Sequence, residues 1–243
     1  MALLAKGKPD YGLDSPALVR NVAILGGVTL AAGFLLRPPQ EMWFAHAPLV
    51  SAQWCGLMCA IVLALLLRSS YVGKLKARDE IIASIGWRGD ERVLDVGCGR
   101  GLFLLAAAKH LTAGKAIGVD VWRAEDLSDN WAEAAWDNAR AEGVEDNIEI
   151  QDADARELPF EKDSFDIVLS SLTVSIMTKP PDRRRAIEEM ARVLRPGGRL
   201  IILDTMFTGE YAKFLRGVGL REVKRSGLRL GLFPPARVLS AVK

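Results

Sequence analysis

The residues best placed to do chemistry are three alternating glycines and a set of carboxylates at fixed distances from them. Gly97, Gly99 and Gly101 fall in the run VLDVGCGRG, with Cys98 and Arg100 between them and Asp95 two residues ahead. Glycine permits positive φ and removes Cβ, so a backbone of this kind can approach a ligand closely and present N–H groups where a helix begins. Residues 92–96 have the length and apolarity of a buried strand, and residues 101–111 are apolar and alanine-rich enough to continue as a helix. A second strand, residues 116–120, ends in Asp120, which lies 19 residues after Gly101. That is the spacing at which a strand-end carboxylate accepts hydrogen bonds from ribose hydroxyls in nucleotide-binding doubly wound folds.

The glycine spacing separates two kinds of ligand. The dinucleotide fingerprint is G-x-G-x-x-G, whereas this chain reads G-x-G-x-G after an acidic residue. With Asp95, that pattern resembles motif I of the class I S-adenosylmethionine (SAM) dependent methyltransferases, of the type 11-like kind. The resemblance continues through DARELPF (154–160), SFDIVLS (164–170) and ARVLRPGGRLII (191–202), which look like that family's adenine-contacting segment, fourth strand and turn into strand five. It covers residues 92–204. The implied cofactor is SAM. The resemblance further implies that Gly97, Cys98, Gly99 and Gly101 meet its methionine portion and ribose, and that Asp95 helps to hold its amino group. Asp120 would bind the ribose hydroxyls, Val121 would pack on adenine, Asp154 would accept from the adenine amino group with Ala155 beside it, and Ser170 would face the methyl donor. Cys98 is read as a small residue between glycines rather than a nucleophile, and Arg100 as a side chain that either faces solvent or contacts the substrate.

Strands are expected near 92–96, 116–120, 147–151, 165–170 and 199–204, and helices near 101–111, 128–142 and 181–194. Alternation of this kind implies a parallel sheet with helices on both faces. The tail adds a helix at 211–216 and strands at 220–226 and 236–242. The expected fold class is therefore α/β, a doubly wound, mostly parallel seven-stranded sheet of Rossmann-like methyltransferase type, preceded by two transmembrane helices.

The transmembrane expectation comes from charge placement. Between Asn21 and Leu67 only Arg37 and Glu41 are charged. Residues 48–67 are 20 uncharged residues, enough to cross ~30 Å of hydrocarbon as a helix. Residues 21–36 are 16 uncharged residues, extended by 17–19, with Arg20 able to snorkel. The short connector holds Pro38, Pro39, Trp43 and Phe44, the last two suited to a water–lipid interface. Lys6, Lys8 and Arg20 precede the pair and Arg68, Lys74, Lys76 and Arg78 follow it, so both ends should face the cytoplasm. The competing readings are a signal peptide with Ala45-His46-Ala47 as its cleavage site and a pair of buried core helices. The expected division is a membrane-anchor segment over 1–70 and a methyltransferase domain over 71–243, reached through a short amphipathic helix at 75–85.

A net charge of +2 gives no basic surface for nucleic acid. Cys55, Cys59 and Cys98 form no disulfide framework, and two thiols at i, i+4 make a poor metal site, so no metal is expected. Methyl transfer from a sulfonium is an in-line displacement in which alignment and water exclusion do much of the work. The chain has two histidines, His46 in the connector region and His110 at the far end of a helix, and neither is placed as a base. Asp204, ending strand five, is the best-placed carboxylate for proton removal. The link at 121–130 either shapes the substrate mouth through Trp122 and Asn130 or ends in Ser128 as a helix cap. The favoured reading is methyl transfer to a small, lipophilic acceptor at the cytoplasmic membrane face. A soluble thiol or phenol as acceptor, or a non-catalytic SAM-binding membrane module that regulates a partner, remain the alternatives.

Overall fold

A computed structural model describes residues 7–36 and 46–243. Lys6, Arg37, Pro38, Pro39, Trp43 and Phe44, on which part of the orientation and interface argument stands, lie outside the described residues. The sheet has seven strands: β1 (Arg92–Val96), β2 (Lys115–Asp120), β3 (Ile148–Asp152), β4 (Phe165–Ser171), β5 (Leu194–Asp204), β6 (Arg221–Arg225) and β7 (Arg237–Val242). Their order is β3-β2-β1-β4-β5-β7-β6, parallel throughout except that β7 runs antiparallel between β5 and β6. This is the doubly wound, Rossmann-like methyltransferase arrangement, with the strand order reversing beside β1.

Period-two alternation sends each strand's side chains into two separate cores. Val93, Ala116, Ile148, Ile167, Leu169 and Leu203 face one layer, and Leu94, Val96, Val119, Val168, Leu200 and Ile202 face the other. The first layer is covered by α3 (Lys74–Ala83), α4 (Leu102–Ala108) and α5 (Ala132–Glu142), the second by α6 (Pro180–Val193) and α7 (Thr208–Gly217). α4 buries Phe103 through Ala108 without interruption, which explains why its sequence reads as apolar on every side. α5 starts at Ala132 rather than near 128. Ser128 does not cap it, because its hydroxyl accepts from Leu13 N–H at 2.8 Å and its own N–H reaches Leu13 C=O at 3.0 Å.

Two long apolar helices, α1 (Pro16–Leu35) and α2 (His46–Arg68), pack as an antiparallel pair joined at close-approach glycines. A Cβ at Gly26 would lie 2.9 Å from Cys59 Cβ, and Gln53 Nε2 donates to Gly33 C=O at 2.7 Å. Their outer faces leave Ile24, Leu25, Val28, Phe34, Trp54, Leu57 and Ile61 exposed. In this single chain they are therefore not core helices. Both are long and apolar enough to span a bilayer by length and composition.

The 75–85 helix expected as a separate element is not separate. α2 passes through a π-helical turn (Ser69–Gly73) straight into α3, so one continuous helix carries the chain from the apolar pair onto the sheet. The 1–70/71–243 division falls inside that helix. Residues 10–15, moreover, lie on the far side of the division and still pack against the sheet layer, as a strap. Tyr11 is buried in the first core and its hydroxyl donates to Glu142 at 2.8 Å. Asp14 bridges to Leu127, and Ser15 N–H donates to Asp126 C=O at 3.0 Å.

The strap is held by one buried cation. Lys74 Nζ donates to Tyr11 C=O at 2.9 Å, Gly12 C=O at 2.7 Å and Asp14 Oδ1 at 2.9 Å. Burial pushes the Lys74 ammonium below its usual range, and Asp14 opposes that shift. Three acceptors match its three donors. Lys74→Met removes all three bonds, leaving two backbone carbonyls without this donor and the Asp14 carboxylate with only the Ser70 hydroxyl; it should cost about 2–3 kcal/mol of stability. Limited proteolysis should then cleave within residues 8–15 at a protease dose that leaves the parent chain intact.

Candidate active site

A cavity of about 290 Å³ lies at the carboxyl ends of the parallel strands, where open α/β sheets bind ligands. Gly97, Cys98 and Gly99 form part of its wall. The three glycines have φ of +73°, +49° and +86°, so the backbone itself demands glycine. At Gly97 a Cβ would also overlap the Thr173 side chain. Gly101 does not line the cavity; its left-handed conformation starts α4. Cys98 is buried with its sulfur against Gly118, and burial pushes its thiol well above the ordinary range, so it is a packing residue.

Asp120 pins the turn. Its Oδ2 accepts from Gly99 N–H and its Oδ1 from Trp122 N–H, both at 2.8 Å, and each oxygen retains further acceptor capacity. Asp95 is fully enclosed. Its Oδ2 accepts from Leu104 N–H at 2.8 Å, while Oδ1 has no partner. Desolvation, reinforced by Asp120, pushes its carboxyl up to about 7. A second orphan lines the same cavity: Asn130, 5% exposed, donates through Nδ2 to Arg123 C=O at 3.2 Å and leaves Oδ1 unpaired. Its amide orientation follows from that bond, because a flipped amide would set two acceptors against each other. Buried acceptors without donors cost about 1–3 kcal/mol each and call for an explanation. A ligand carrying an ammonium group and hydroxyls supplies donors of the required kind, so the site fits SAM.

Val121, Asp154 and Ala155 also line the cavity. Asp154 is paired with Arg156, whose guanidinium lies 2.5–3.0 Å from both carboxylate oxygens and holds the acid below its usual range. Three expectations take a different form. Ser170 does not line the cavity: its hydroxyl donates to Val96 C=O at 2.9 Å and ties β4 to β1 below the glycine turn. Arg100 is not solvent-facing, since its guanidinium is buried against Asp10, donating to that residue's C=O at 2.7 Å and to its carboxylate at 2.9 Å. Asp204 is fully buried and absent from the cavity wall. It accepts from Ser175 N–H at 2.9 Å, Thr205 N–H at 2.7 Å and Tyr211 hydroxyl at 3.4 Å, and burial raises its carboxyl. Ser175 and Thr205 do line the cavity, so Asp204 shapes the floor from beneath. His110 stacks on Trp87 with ring centroids 5.1 Å apart, away from the site.

The rest of the wall comes from residues that no motif announces. Tyr11, Asp14, Ser15 and Leu18 enter from the strap and the first turn of α1; Leu66, Ser69, Ser70 and Lys74 come from the α2–α3 helix; Leu232, Phe233 and Pro234 come from the loop before β7. The root of the apolar helix pair and the glycine turn thus share one cavity.

Residues 94–202 match the family model described as a methyltransferase domain. The methyltransferase GfsG of Streptomyces halstedii is 42% identical over 118 residues, covering 49% of this chain and 39% of that protein. A demethylmenaquinone methyltransferase of Symbiobacterium thermophilum is 34% identical over 138 residues, covering 56% and 51%. The chain spans about half or less of the length of the curated relatives it matches. In fold, it is similar to a SAM-dependent methyltransferase structure from Aquifex aeolicus with a TM-score of 0.55 at 20% identity, covering 69% of this chain and 90% of that one. The matched region is thus similar to a methyltransferase domain, and its fold is shared with a SAM-dependent methyltransferase structure.

The enclosed Asp95 makes two pH dependences. Its folded pKa lies above the unfolded one, so the ligand-free protein holds a proton that the unfolded chain releases; stability contributed by the neutral acid is lost as pH rises from about 4 towards about 7. Asp95→Asn should flatten that part of a melting-temperature profile. A cationic ligand group favours the ionised acid, so SAM affinity measured by calorimetry should rise up to ~tenfold per unit below pH 7 and level off above it, with the slope lost in the Asn variant. Asp204→Asn should lower the melting temperature and leave the pH profile of turnover unchanged in shape; a displaced profile would make Asp204 a base after all.

Proposed function

We propose that the chain transfers a methyl group from SAM to a small, lipophilic acceptor at the cytoplasmic face of a membrane that α1 and α2 cross. One observation carries this reading: the cavity that holds the glycine turn is also walled by Leu18 and Leu66 at the root of the apolar helix pair. Leu66 lies at the end of the 20-residue uncharged run, next to Arg68, the level at which a span meets headgroups. The demethylmenaquinone methyltransferase among the relatives carries a lipophilic acceptor in its name and supports the same choice. In this reading the anchor is residues 1–70 and the methyltransferase domain residues 71–243, with the strap of the first segment completing the second.

When bound, SAM supplies an already activated methyl group. The chain's own residues then bind, orient and exclude water. Asp95 Oδ1 and Asn130 Oδ1 would take donors from the cofactor, Asp120 its ribose hydroxyls, Asp154 its adenine amino group with Val121 and Ala155 beside the ring. Gly97 and Gly99 keep the wall clear of side chains there. Thr173, Ser175, Ile176, Met177 and Thr205 form a half-polar, half-apolar wall against which an acceptor would be oriented. The strap and the 121–130 link, joined through Asp14 and Leu127, border the cavity and would limit the access of water to it.

The test is incubation of the full chain with membrane extract and methyl-labelled SAM, followed by mass spectrometry of organic and aqueous fractions. The expected outcome is release of S-adenosylhomocysteine with a labelled product in the organic fraction. Label confined to the aqueous fraction would point to a soluble thiol or phenol, and SAM retained without turnover to a binding module. Leu66→Asp should leave SAM affinity within about twofold and lower turnover on the organic-phase acceptor ~tenfold or more, because a buried charge would then stand in the acceptor's half of the cavity.

A further inference from the structure

The loop between β6 and β7 carries apolar side chains that nothing in the fold covers. Leu228 is 53% and Leu230 76% exposed, in the sequence SGLRLGLFPP. Its position is not free. Arg68 Nη1, at the end of α2, donates to Gly231 C=O at 3.4 Å, and Phe233 N–H donates to Ser69 Oγ at 2.9 Å. A Cβ at Gly73 would overlap the Gly231 carbonyl oxygen, so the π-helical turn and the loop are in backbone contact. Arg229 forms an ion pair with Glu80 on α3. The loop is therefore clamped to the helix at the level where the uncharged run ends.

The sequence around it is rich in cations. From Arg216 to Arg237 the chain carries Arg216, Arg221, Lys224, Arg225, Arg229 and Arg237 against a single acid, Glu222. Arg221, Lys224 and Arg225 are exposed on β6. Exposed leucines flanked by cations, held beside the end of an apolar span, match an interfacial surface for anionic lipid headgroups.

We propose that residues 227–231 are a third membrane contact of this protein, with Leu228 and Leu230 seated at the headgroup–acyl boundary and the β6 cations facing anionic headgroups. This rests on the reading of α1 and α2 as membrane spans. Its consequence is orientation. A helix pair alone lets the domain swivel about its root, whereas a second contact point fixes its tilt. The loop runs directly into Leu232, Phe233 and Pro234, which line the cavity, so a seated loop turns that wall towards the bilayer and gives an acceptor dissolved there a short path in.

The experiment uses the full chain in lipid nanodiscs of phosphatidylcholine and phosphatidylglycerol, labelled with bimane at one cysteine at a time. Leu230→Cys, Leu228→Cys and the aqueous reference Lys162→Cys, on an exposed turn, are read in a Cys55→Ser, Cys59→Ser background; native Cys55, on the exposed face of α2, is read in a Cys59→Ser background and reports the span itself. At both leucine sites, nanodiscs carrying shallow doxyl lipid should quench at least about threefold more than at Lys162→Cys, and aqueous iodide correspondingly less. The difference should shrink in discs of phosphatidylcholine alone. Leucine-site labels that behave like Lys162→Cys while Cys55 is quenched by lipid would overturn the loop contact and leave the spans standing. A Cys55 label that lipid does not quench would remove the membrane reading and the loop contact with it.

Discussion

The ammonium of Lys74 is a charge that burial makes costly and that three acceptors make tolerable, and the architecture of the site follows from where those acceptors sit. They belong to Tyr11, Gly12 and Asp14, sixty residues earlier in the chain. A buried cation cannot be left without partners. The strap must therefore return across the sheet, and because α1 begins at Pro16, the start of the apolar helix pair is fixed with it. Lys74 is itself the first residue of α3 and continues from α2 through the π-helical turn. Both strands of the hairpin root are thus tied to a single point beside the cavity, one through the backbone and one through the ion pair and its hydrogen bonds.

This arrangement changes what the apolar pair does. A helical hairpin joined by a loose linker would be a tether and nothing more. Here Leu18 and Leu66 are wall residues of the same cavity as Gly97 and Gly99. Around the glycine turn, Asp120 holds Gly99 and Trp122 with its two oxygens, and Arg100 holds Asp10, so the glycine turn also carries the strap. The two acceptors left without donors, on Asp95 and Asn130, belong to the wall of the cavity that these contacts border. The energy to keep them unpaired is met by the packing around them, which is the usual sign of a site prepared for a ligand.

Much of the fold was legible because its signals are local. The alternation of short apolar runs with longer helical ones located five parallel strands to within a few residues; β5 is longer at its start than expected, running through the Arg195–Gly198 turn. The glycines, Asp95, Asp120 and Asp154 could be found because turn conformations and strand-end positions are short-range properties. Ser170, Arg100 and Asp204 were identified by position and differ in role. Whether a strand-end side chain points into a cavity or bonds to the neighbouring strand depends on register, and Ser170 lies opposite Val96. Asp204, at the end of β5, is claimed by the backbone of the loop at 173–177.

What the sequence alone determined is the class of ligand site: G-x-G-x-G after Asp95, the acid 19 residues on, and the charge-free runs before them. Each of these rests on interactions within about one turn or one strand. Only the tertiary structure decided that the hairpin root and the glycine turn share a cavity, that residues 10–15 form a strap beside it, and that the loop at 227–231 is clamped to the end of α2. Those contacts join residues separated by some 60 to 160 positions. Several of them have a backbone N–H or C=O on one side, groups that nearly every residue has, so residue type and spacing did not mark them in advance.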